Sequence, residues 1–220
     1  MSIKNMKSSN VVPADLAERL GKEGIGIILS TMWLGYHDLK RDSIISAAED
    51  EDSITVKWYE KVYDRWNSEN RASQVHIRLI PISQYPDRTK KAKCGKAPTI
   101  DFCFKEWGQD ESYFGAECKR LKSKDNRLIQ EYVENGVKRF TSGKYSSRCS
   151  VSAMIGYVQE GSISDIVVAL TLAIKNADIE QNLTRMMAET DSEYTSIHRR
   201  SNGLSNITLY HLFFDFSTTP

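Results

Sequence analysis

A chain of 220 residues, 40% of them hydrophobic, can bury a sizeable core, and one domain with decorations fits that length better than two full ones. Its 30 basic and 29 acidic side chains leave a net charge of +1, which excludes a globally basic nucleic-acid binder and leaves only local patches for that role. Four cysteines without CxxC spacing argue against a disulfide scaffold or structural zinc, and the polar Met1 to Asn10 and the short apolar runs 25–34 and 163–174 predict a cytoplasmic protein with no membrane segment.

Residues Ala14 to Leu20 and Ile25 to Tyr36 read as helical, with Ile25, Ile28, Leu29, Met32 and Tyr36 at helix spacing and Gly21, Gly24 and Gly26 interrupting the path. This piece is expected to pack on the rest of the chain, with a dimer contact as the alternative. An acidic run, Glu49 to Asp52, then opens a helix on which Ile54, Trp58, Val62 and Trp66 share one face. Glu51 falls on that face and Glu60 nearly opposite.

Val75 to Ile82 alternates like a strand, and Arg88, Lys90, Lys91, Lys93 and Lys96 come after it. Such a run is either a solvated loop or a set of phosphate contacts that bind without reading sequence.

Two short segments carry most of the chemistry. Thr99-Ile100-Asp101-Phe102, entered from Pro98, reads as a strand with Ile100, Phe102 and Phe104 on one face and Asp101 on the other. In Phe114-Gly115-Ala116-Glu117-Cys118-Lys119-Arg120, Glu117 and Lys119 are two apart and project together. If the two strands form a hairpin, Asp101 sits beside Glu117. Surface strands also display carboxylates and lysines as a solvated face or an ion pair. These strands are apolar on both faces, however, which marks them as central, and buried carboxylates need a partner such as a metal ion.

Cations continue through Arg120, Lys122, Lys124 and Arg127, and Ser123 or Asp125 can cap a helix to about Phe140, with Leu128, Tyr132, Gly136 and Arg139 in one row. Val151 to Val158 reads as a buried strand with Gly156 at a close approach, and Ser162 and Asp165 cap a helix carrying Ile163, Ile166, Val167, Leu170 and Ile174. Segments 192–200 and 207–216 suggest a final strand pair across which His198 and His211 could meet, as structural groups or as catalytic or phosphate-binding ones.

The run Pro98-Thr-Ile-Asp101, then Glu117-Cys118-Lys119, then helix, strand and helix resembles the PD-(D/E)xK nuclease superfamily over roughly residues 50 to 175. Here two residues separate Pro98 from Asp101, a departure from the family pattern. The Gln and Tyr four apart on the next helix in several branches are not reproduced, because Gln130 and Tyr132 are two apart. The run Tyr132 to Tyr145 is similar instead to uncharacterised nuclease-like proteins, some linked to phage defence.

The resemblance implies an α/β fold with a restriction-endonuclease-like core: a central mixed β-sheet flanked by helices, an N-terminal helical extension over 1–48, and a nuclease domain over 49–220 that ends in a strand pair. It implies Mg²⁺ or Mn²⁺ held by Asp101, Glu117 and the Cys118 carbonyl. A further acid from the first helix is implied too, for which helical register prefers Glu51 over Glu60, though Glu51 can equally serve only the helix start. Lys119 would orient or activate water and counter phosphate charge, and Lys90, Lys91, Lys93, Arg120, Lys122 and Arg139 would contact nucleic acid.

The expected function is a Mg²⁺-dependent endonuclease, DNA favoured, in the setting of an antiviral system with a regulatory protein partner. A homodimer is compatible, since double-strand cutting by a single-site nuclease commonly needs two copies. Two rivals stay open: an inactive nuclease-fold module that binds nucleic acid or protein, and an interaction protein built around the N-terminal helices.

Overall fold

The computed structural model describes residues 16–42, 45–72, 79–87, 97–106, 112–177, 183–186, 192–200 and 203–217. The chain is an α/β protein built on one mixed seven-stranded sheet in the order β1-β2-β3-β4-β7-β6-β5. The strands are β1 (Leu79–Pro86), β2 (Thr99–Glu106), β3 (Tyr113–Lys122), β4 (Val151–Glu160), β5 (Thr184–Arg185), β6 (Glu193–His198) and β7 (Ile207–Asp215). β3, β4 and β7 run parallel in the middle, and every other pairing is antiparallel. The C-terminal strand pair forms as expected, but it is no appendage: β7 takes a central place beside β4.

Helices cover both faces because the central strands are apolar on both. On one face α1 (Leu16–Asp42) and α2 (Glu51–Ala72) bury Ile28, Met32, Ile54, Trp58, Val62 and Trp66 against Phe102, Phe114, Cys118, Ile155 and Phe214. The buried indole N–H groups of Trp58 and Trp66 donate to the carbonyls of Met32 and Leu79, at 3.1 and 3.0 Å, so neither is left unpaired. On the other face lie α3 (Asn126–Tyr132), a π-helical turn (Val133–Val137), α4 (Lys138–Thr141) and α5 (Ile163–Asn176), packed on Tyr113, Leu121, Met154, Val158 and Phe213.

Several expectations change in detail. The N-terminal helix is one element kinked at Gly21 (φ 61°, a conformation that glycine adopts without strain), while Gly24 and Gly26 continue the helix. It packs on the core. Asp50, not Glu51, caps α2, accepting the Ser53 N–H at 2.9 Å. Asp125 caps α3 and Ser162 caps α5, both expected. Gly156 is required sterically: a Cβ there would lie 2.6 Å from both Leu121 Cδ1 and Phe213 Cδ1. Cys103, Cys118 and Cys149 are buried, whereas Cys94 lies outside the described residues. Among the described residues no helix is long and apolar enough to cross a membrane.

Candidate active site

The site forms where the sheet forks. β2 pairs with β3 only from Phe102–Ala116 to Lys105–Tyr113, while β3 runs on beside β4 as far as Lys122. Past the fork, two N–H groups of β3 lose their strand neighbour and are met by carboxylates instead. Cys118 N–H donates to Asp101 Oδ2 at 2.8 Å, and Arg120 N–H donates to Glu51 Oε2 at 3.1 Å.

Asp101 reaches this place through a break in alternation. β1 and β2 keep one register throughout, with Ser83 opposite Phe102 and Tyr85 opposite Ile100. Between those pairs Gln84 has φ 49°, unusual for a residue with a Cβ. Phe102 and Phe104 face α1 and α2, but Ile100 and Tyr85 join the opposite core. Ile100 therefore does not share a face with Phe102 and Phe104, correcting the simple alternation. The β1–β2 ribbon swaps faces at Gln84 and Asp101, and Ile100 closes over Gly115, where a Cβ would come within 2.4 Å of Ile100 Cδ1.

The expected charged residues converge at the fork. Lys119 Nζ donates to Glu51 Oε1 at 2.7 Å and to the Cys118 carbonyl at 2.5 Å. It stands 3.2 Å from Glu117 Oε1 and 4.0 Å from Asp101 Oδ2. Glu117 is fully buried. Its Oε1 also accepts from Arg139 Nη1 at 2.6 Å, while its Oε2 has no hydrogen-bond partner among the described residues.

Sequence spacing left Arg139 as a candidate nucleic-acid contact; here its guanidinium holds Glu117. The helix after β3 runs past Phe140 as expected, but a π turn over Val133–Val137 inserts a residue and rotates those beyond it. Arg139 Nη1 also donates to Tyr145 Oη at 2.9 Å, and that hydroxyl donates to the Thr99 carbonyl at 2.6 Å. Tyr145 and this brace back to β2 were missed, since no motif marks a tyrosine after a helix end.

Burial, and then the Asp101 charge, push the Glu117 carboxyl up to about 7 against the opposing pull of Lys119 and Arg139. Burial also raises Asp101 and Glu51, with Lys119 opposing in both. For Lys119, burial would lower the pKa, but Glu117, Glu51 and Asp101 together outweigh it and hold the ammonium above its ordinary value. At neutral pH the lysine is a cation. It is not poised as a base.

No protein-family model, curated protein or solved structure matches this chain. The case for a function therefore rests on the chemistry of the fork. Its oxygens, two carboxylates from the sheet, one from α2 and a carbonyl, are the hard donors that Mg²⁺ or Mn²⁺ prefers, and the unpartnered Glu117 Oε2 is an acceptor without a cation. Among the described residues no three His, Cys, Asp or Glu side chains are drawn together to hold a metal, and the Lys119 ammonium lies within 4.0 Å of the three carboxylates.

Lys90, Lys91 and Lys93 lie outside the described residues. Arg120 Nη1 reaches the Glu49 carbonyl at 3.5 Å, and Lys122 Nζ, at the end of β3, lies 4.0 Å from Glu160 at the end of β4. His198 and His211 are joined through Ser196 Oγ, at 2.6 and 2.7 Å from their Nε2 atoms, and both are buried.

Proposed function

We propose that this protein is a Mg²⁺- or Mn²⁺-dependent nuclease of the restriction-endonuclease-like kind, hydrolysing phosphodiester bonds, with DNA the favoured substrate. One observation carries the reading: a fully buried carboxylate, Glu117, keeps an unpartnered oxygen in a cluster with Asp101, Glu51, the Cys118 carbonyl and Lys119. A buried acceptor left open costs about 1–3 kcal/mol, a cost easiest to understand where a ligand is to fill it.

Asp101, Glu117 and the Cys118 carbonyl would hold the metal, with Glu51 as a further acid from α2. The metal would supply Lewis-acid polarisation of the phosphate and a bound water of lowered pKa. Arg139 keeps Glu117 oriented and favours its ionised form. Lys119, a stable cation, neutralises charge developing on the phosphate oxygens, a contribution of roughly 10²- to 10⁴-fold for a positioned group of this kind.

Asp101→Ala, Glu117→Ala and Lys119→Ala should each abolish Mg²⁺-dependent cleavage in a panel of single-stranded and duplex DNA and RNA, with folding checked by circular dichroism. A Lys119→Ala protein that cuts as fast as the parent would sink the reading. The inactive-module alternative is favoured by the Lys119 ammonium, which already occupies the centre of the cluster. It expects nucleic-acid or protein binding indifferent to Mg²⁺ and no cleavage in any lane.

A further inference from the structure

Resting on the nuclease reading, we infer that Lys119 is the resident cation of the carboxylate cluster, that a divalent ion must displace it to bind, and that displacement frees the ammonium for phosphate.

Four oxygens surround Lys119 Nζ: Cys118 O at 2.5 Å, Glu51 Oε1 at 2.7 Å, Glu117 Oε1 at 3.2 Å and Asp101 Oδ2 at 4.0 Å. Three of them, the Cys118 carbonyl, Glu51 Oε1 and Asp101 Oδ2, are oxygens that a metal would use, while from Glu117 the metal would take the open Oε2 of the same carboxylate. A divalent ion draws such donors to about 2.0–2.6 Å, a contraction that the ammonium between them prevents. Two cations inside one cage would also repel across a few ångströms with little water to screen them. Occupancy is therefore exclusive.

The two cations of the site differ in how tightly they are tied. Arg139 is anchored outside the cage, through Tyr145 to the Thr99 carbonyl, and engages only Oε1 of Glu117. It can stay while Glu117 Oε2 turns to a metal. Lys119 sits on a flexible four-carbon stem, and all four of the oxygens around it belong to the cage. It is the ion that must leave. In the metal-free chain the lysine side chain is only 10% exposed and committed to the carboxylates, so it is withheld from phosphate until the metal arrives. The loading order is thus metal first, then the lysine–phosphate contact.

The test uses the full chain without nucleic acid. Mn²⁺ binding, followed by electron paramagnetic resonance, should tighten roughly tenfold or more in Lys119→Met, while cleavage is lost. Glu117→Gln should bind Mn²⁺ more weakly than the parent. Equal or weaker Mn²⁺ binding by a folded Lys119→Met protein overturns the inference. Should that variant not fold, the parent decides. Its Lys119 ammonium resonance, followed by ¹⁵N NMR, should shift in step with Mg²⁺ saturation, and a resonance that stays in place at saturating Mg²⁺ overturns displacement. A parent that cuts DNA but fails these binding tests loses the displacement and keeps the nuclease reading. A parent that passes them but cuts nothing does the reverse.

Discussion

Two buried polar clusters lie on the same face of the sheet, either side of β4, and they solve burial in opposite ways. Around Glu117 the groups are charged, and three carboxylates face two cations, Lys119 and Arg139. Around His211 they are neutral: Tyr132 Oη meets His211 Nδ1 at 2.8 Å, and Ser196 Oγ bridges His211 and His198. Ser196 has one hydroxyl proton, so it can donate to only one Nε2, and the other imidazole must be its donor. At least one ring is therefore the Nε2–H tautomer, and burial drives them to about 4 and about 3, leaving both uncharged at neutral pH. A neutral chain of this kind ties β6, β7 and α3 together. On the proposed reading, the charged cluster with its open oxygen is the one that takes a ligand.

The sharpest way to break this contrast is to neutralise one member of each cluster. Glu117→Gln keeps the shape and removes the charge, so cleavage should fall by about 10³-fold or more. Its unfolding temperature at pH 8 should equal or exceed the parent's, because the surroundings disfavour that charge. His211→Ala should do the reverse. It leaves Tyr132 and Ser196 unpaired around a cavity, at a cost of roughly 2–5 kcal/mol, while the folded fraction cuts within about tenfold of the parent. Matched losses of activity in the two variants would erase the distinction.

The charged cluster was largely legible in sequence, because a period of two puts Glu117 and Lys119 on one side and hairpin pairing brings Asp101 beside them. Helical register likewise singled out Glu51, which does reach Lys119. What stayed hidden depends on local departures from regularity. Glutamine is no turn former, so nothing announced the left-handed Gln84 that swaps the ribbon's faces. A π turn adds one residue without changing the apolar pattern, so Arg139 could be placed near the apolar side but not against Glu117. The position of β7 between β4 and β6 is a long-range choice among strands that all read as buried.

Stability against pH separates the clusters without any substrate. In metal-free protein Glu117 has its pKa raised from an ordinary 4.5 to about 7, so the folded state binds the extra proton and stability falls as pH rises through that window. Asp101 and Glu51, also raised, act in the same direction. His198 and His211 are lowered from 6.5, so the unfolded state binds more protons below that value and stability falls as pH drops from 6.5 toward 3. Each group contributes roughly 1.4 kcal/mol per pH unit inside its window. Denaturant unfolding in EDTA should show Glu117→Gln removing part of the decline between pH 4.5 and 7, while leaving the acid limb intact. An acid limb that moves with Glu117 would mean that the clusters are coupled.

The smallest expected effect comes from deleting a single oxygen in each region. Tyr132→Phe removes the hydroxyl that meets His211 but keeps the ring stacked near His211 and Phe213. Tyr145→Phe removes the hydroxyl that accepts from Arg139 and donates to the Thr99 carbonyl. Each should cost about 1–2 kcal/mol of stability by the same loss of hydrogen bonding. Only Tyr145→Phe should also slow cleavage, by about tenfold at unchanged substrate affinity, because Arg139 then holds Glu117 without its own anchor. Comparing kcat in the two variants at matched folded fraction isolates orientation from stability: equal kcat would reduce the Tyr145–Arg139 link to scaffolding, as inert for chemistry as the histidine chain across β4.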